Sequence, residues 1–75
     1  MVYLVDCFED SGSLVEFVVN AQNADEAQLL AKERYSELQR REQELIAIES
    51  MRITARRAKA LVVQGRANDI NVRYV

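Results

Sequence analysis

The chain has 75 residues, a formal net charge of −2 at pH 7, no histidine, no proline, one cysteine and two glycines. This length fits a single domain, 1–75, and the 49 % apolar content is too high for a disordered chain. The composition excludes a histidine-based site, a disulfide framework and a paired-cysteine zinc site, and no apolar run approaches the ~20 residues that cross a bilayer.

YLVDCF and SLVEFVV flank the turn EDSGS and predict a β-hairpin. Alternation puts Tyr3, Val5 and Cys7 on one face, with Val15, Phe17 and Val19 as counterparts. The reverse face holds Val2, Leu4, Asp6 and Phe8 with Leu14, Glu16 and Val18. That face carries more apolar surface than a solvated sheet face, so a later segment, a second subunit or a partner is expected to cover it. NADEAQLLAKERYSELQ follows. Asn23 and Glu26 have the spacing of a helix cap with a reciprocal acid, and Ala27, Leu30, Ala31, Arg34 or Tyr35, and Leu38 trace an amphipathic stripe.

Arg40 to Glu44 then cover more than one helical turn without an apolar residue, so a buried stripe cannot pass through. Residues 45–53, rich in β-branched side chains, are read as a strand with an irregularity near Glu49-Ser50 that resets its alternation. The rival is one helix from Ala24 to Gln64, giving a hairpin plus long helices in a dimer. TARRAKALVVQG predicts a short second helix, capped by Thr54, with Ala55, Ala58, Leu61 and Val62 on its inner face and Gly65 just past its end, a strand at 60–64 being the alternative. DINVRYV alternates as a last strand, with Ile70, Val72 and Tyr74 on one face. The order β-β-α-β-α-β predicts a small two-layer α+β domain, a mainly antiparallel sheet with its helices on one face.

Charge divides along the chain. Residues 1–49 hold eleven acids and four bases, and residues 50–75 hold six bases and one acid. Such asymmetry suggests charge-guided contact within the molecule or with a partner. Cys7 alternates onto a core face without a histidine to activate it, so it reads as a structural thiol. Ser11 and Ser13 flank Gly12 as turn formers. Asp6, Glu9 and Asp10 lack the regular oxygen spacing of a calcium loop, and the glycines stand alone, away from any phosphate-binding loop. No catalytic residue, metal or cofactor is expected. The lone cysteine and an N-terminal stretch with no basic leader point to the cytoplasm, away from membranes.

The expected function is therefore binding without catalysis. The first reading is a small modulator or inhibitor of a larger protein or complex, of the accessory or phage-encoded kind. Its contact residues would be Asp6, Phe8 and Glu16 on the reverse sheet face and Asp25, Glu26, Glu33 and Glu37 on the first helix. A homodimer through the reverse face is a further expectation. The alternative is a small nucleic-acid-binding protein using Arg52, Arg56, Arg57, Lys59 and Arg66, a stretch with no intervening acid. Against it stand the acidic whole and the lack of aromatic platforms in that segment.

Overall fold

The computed structural model describes residues 1–38 and 44–72. The elements are β1 (Val2–Glu9), β2 (Leu14–Asn20), α1 (Ala24–Leu38), β3 (Leu45–Ile53), α2 (Ala55–Val63) and β4 (Asn68–Ile70). This is the expected β-β-α-β-α-β order of an α+β domain, and the strand at 45–53 rules out one helix from Ala24 to Gln64. Four strands form one mixed sheet in the order β3-β1-β2-β4. Arg40 to Gln43, whose polarity argued for the change of structure, and Arg73 to Val75 of the predicted last strand lie outside the described residues.

The hairpin follows from its turn. Gly12 has φ +92°, a left-handed value that its missing Cβ permits. Its N–H donates to the Glu9 carbonyl at 2.9 Å, and the Glu9 N–H donates to the Ser13 carbonyl at 2.9 Å. That loop fixes the register Tyr3↔Val19, Val5↔Phe17 and Cys7↔Val15, the pairing alternation predicts. Val5, Cys7, Phe17 and Val19 are fully buried.

Helix α1 closes over this face. The Asn23 side chain accepts from the Glu26 N–H at 2.8 Å, and the Glu26 carboxylate reaches back to the Gln22 N–H at 3.1 Å. Ala27, Ala31 and Tyr35 are its buried residues. Two of these three contacts are alanine, so the backbone can come close to the sheet. Leu38, the end of the predicted stripe, is exposed.

Strand β3 pairs antiparallel with β1, and its register shifts between Phe8, opposite Ala47, and Glu9, opposite Leu45. Ile46 is the extra residue. The bulge resets the alternation, so Leu45 and Ile48, three apart, both pack against the α1-side core. An irregularity is thus present, but at Ile46 and not near Glu49-Ser50. At Glu49 and Ser50 the ladder is regular, because alternation there already places Ile48, Ser50 and Arg52 on the α1 side.

The helices do not share a face. Tyr3, Val5, Cys7, Phe17 and Val19 form one core with α1. A second core on the reverse face joins Val18 to Ala58, Leu61 and Ala67, with Val2, Leu4, Ile53 and Val62 packed against it. The expected two layers are therefore three, with the sheet in the middle. The reason lies in the connections. β2 to β3 and β3 to β4 each join parallel strands through a helix, and they cross the sheet in opposite directions. Crossovers of one hand, the right-handed one that such units adopt, then require opposite faces.

The last strand is also shorter than expected. β4 runs only from Asn68 to Ile70, parallel to β2. Asn71 has φ +57° and the Val72 N–H donates to the Asp69 side chain at 3.2 Å, which turns the chain out of the sheet. Ile70 and Val72 consequently join different cores, not one face.

Candidate protein-binding face

Helix α2 covers only half of the reverse face. Pairing across β3, β1 and β2 arranges the other half in rows. Ala47, Phe8 and Leu14 make an apolar row nearest the hairpin turn. Glu49, Asp6 and Glu16 make an acidic row beside it. Met51, Leu4 and Val18 make a second apolar row, whose inner end α2 buries. Leu14 is 47 % exposed and Met51 is 59 % exposed. An open groove of about 420 Å³ follows the β3 side, lined by Leu4, Asp6, Gln28, Glu49, Ser50 and Met51.

Like charges directly opposite one another on a sheet destabilise it. Here the chain relieves one end of the row: Arg66, held just past α2, lies 3.9 Å from the Glu16 carboxylate. Its position follows from the helix end. Gly65 at φ +73° and N–H bonds from Gly65 to Val62 and from Arg66 to Leu61 make a Schellman cap that turns the chain toward β2. Among the described residues no ion pair reaches Asp6 or Glu49. Asp6 Oδ1 is buried and has no hydrogen-bond partner among them. Burial, chiefly, pushes the Asp6 carboxyl up to about 6. The neighbouring Glu16 adds to this through a side-chain hydrogen bond and charge repulsion, and Arg66 opposes it.

The candidate residues from sequence fall into separate places. Asp6, Phe8 and Glu16 come together on the reverse face. Asp25, Glu26, Glu33 and Glu37 lie on α1, across the sheet from them, so the two sets do not form one surface. Glu26 is used in the cap, and Glu37 pairs with Arg34 at 3.5 Å. Arg41, four residues after Glu37 at the spacing of a helical ion pair, lies outside the described residues. The basic set divides as well. Arg56, Arg57 and Lys59 are exposed on α2, Arg52 stands opposite Tyr3 on the α1 side of the sheet, and Arg66 is engaged by Glu16.

The acids of the hairpin end do not converge. Glu9 is buried on the α1 side, where it accepts a hydrogen bond from the Tyr35 hydroxyl at 2.6 Å. The Asp10 carboxylate accepts from the Glu44 N–H at 3.3 Å. Burial pushes the Cys7 thiol up to about 11, with Asp6 and Glu9 adding to the effect, as befits an inert core thiol. Sequence reasoning missed Ala47, Glu49 and Met51 as members of the face. Only the β1–β3 register places them there, and the bulge at Ile46 hides that register from simple alternation. No helix among the described residues is long and apolar enough to cross a membrane. In comparisons with known proteins, no family model, no curated protein and no solved structure matches the chain.

Proposed function

We propose that this chain is a non-enzymatic binding protein that docks on a larger protein or complex through the banded reverse face and so modulates or blocks it. The observation that carries this reading is the acidic row Glu49–Asp6–Glu16 between two apolar rows, with an ion-paired cation, among the described residues, at one end only. Such a face suits a partner that presents a lysine or arginine flanked by apolar side chains. The apolar rows supply buried area, with Phe8 as the aromatic anchor. The partner's cation offsets the cost of burying Asp6 and Glu49. Affinity purification with tagged wild-type protein and with Leu14→Lys tests it. A co-purifying protein should be lost with Leu14→Lys, kept with Glu33→Lys on α1, and released by raised salt. A partner indifferent to Leu14→Lys would remove the reading.

One observation favours a second reading, nucleic-acid contact. Arg56, Arg57 and Lys59 are exposed together on α2. The separation of Arg52 and the engagement of Arg66 reduce the basic surface to these three. A mobility-shift titration at low salt decides. A shift lost in the Arg56→Glu/Arg57→Glu double variant would support it, and no shift at micromolar protein would exclude it.

A further inference from the structure

The two edges of the sheet are unequal. β4 offers only three residues. β3 offers nine, Leu45–Ile53, interrupted by the bulge at Ile46 and carrying the charges Glu49 and Arg52, and among the described residues only β1 pairs with it. Ile46 is 66 % exposed and Met51 is 59 % exposed. A long edge of this kind is a template for another strand.

The helix that follows β3 carries the second observation. Its first turn contains Arg56 and Arg57 and no acid, the reverse of what the positive end of a helix favours. Among the described residues this turn holds no acid and Glu49 on the neighbouring edge has no ion pair. Within one chain the two are held apart, since α2 starts beyond Ile53 at the far end of β3.

We infer that a second copy of this chain pairs with the first along β3, antiparallel about a twofold axis, and that Glu49 of each copy faces the α2 first turn of the other. The geometry follows from the register. With the twofold near Ser50, Ile53 of one copy lies opposite Ala47 of its partner, and α2 of both copies stands on the same side of the joined sheet. The partner's α2 then begins just past Ala47, two residues along the strand from Glu49, and its Arg56 and Arg57 side chains reach toward Glu49 at the outer end of the acidic row. An eight-stranded sheet results, with β4 as its short outer edges. Edge pairing is preferred over stacking of two reverse faces, because α2 already covers half of each face. The inference does not rest on the proposed docking partner, since it concerns the purified chain alone.

Light scattering after size exclusion, at rising concentration, tests it. Wild type should give twice the 8.6 kDa chain mass. Glu49→Arg and the Arg56→Glu/Arg57→Glu double variant should each weaken the dimer by about tenfold or more. Mixing the two should restore it, because each arginine cluster then meets an acid across the twofold, and this control excludes misfolding as the cause of loss. Slowed hydrogen exchange at β3 amides in wild type, relative to either variant alone, should accompany the dimer. A wild-type monomer at every concentration overturns the inference. So does a dimer that neither charge reversal weakens.

Discussion

Asp6 sits between two other carboxylates on the sheet, and that placement sets a pH response. Its carboxyl is raised from 3.8 to about 6 in the folded chain. Between those values the folded state holds more of this proton than the unfolded state does. Stability from this group therefore falls as pH rises through that window, and the full penalty is present above about 6. Urea midpoints measured at pH 5, 6 and 7.5 should decrease in that order for wild type. Asp6→Asn should flatten this dependence and be the more stable form at pH 7.5, since it removes the central charge of the row. On the other face, Tyr35 and Glu9, 26 residues apart, join α1 to the end of β1. Leaving a buried acceptor without its donor costs about 1–3 kcal/mol, so Tyr35→Phe should lower unfolding free energy by that amount. Neither residue announced this in the sequence. Tyr35 reads as a stripe residue and Glu9 as a hairpin acid, and their meeting depends on how α1 lies over β1.

Among the elements, α2 has the most decisive local signals. The Thr54 side chain accepts from the Arg57 N–H at 3.1 Å, and Gly65 supplies the left-handed residue past the end. Thr54→Ala should cost about 1 kcal/mol. Leu61→Ala should cost more, about 2–5 kcal/mol, because Leu61 fills the core between α2 and the sheet. Chemical denaturation of the two variants checks both values and their order. Caps, hairpin turn and strand faces were legible because each depends on residues near in sequence: Asn23 with Glu26, Gly12 between serines, Tyr3-Val5-Cys7 at period two. The bulge at Ile46 was legible only as a need. Leu45 and Ile48 both demand burial, three apart in a strand, which alternation cannot meet. Its position required knowing where Glu9 and Phe8 pair.

At the scale of the whole molecule, the missing knowledge was strand order. Once β3 and β4 lie on opposite sides of the hairpin, connections of one hand send the helices to opposite faces, and the two-layer expectation fails. The same fact explains the candidate site. Placing α2 on the reverse face covers Val2, Leu4 and Val18 but leaves Leu14 and Glu49 exposed and Phe8, Asp6 and Glu16 partly so. Sequence reasoning found Asp6, Phe8 and Glu16 from the mixed alternation of the hairpin. It could not find Glu49 or Met51, which join them only through pairing. It also grouped the α1 acids with them, which the intervening sheet separates.

The central claim is that the open rows of the reverse face are where a protein partner sits. Hydrogen exchange resolved by residue, on the chain alone and bound to a co-purified partner, tests it most directly. Added protection should concentrate on the ends of β1 and β2 around Phe8 and Leu14, while the outer side of α1 stays unchanged. Protection confined to α1, or to the first turn of α2, would contradict the claim.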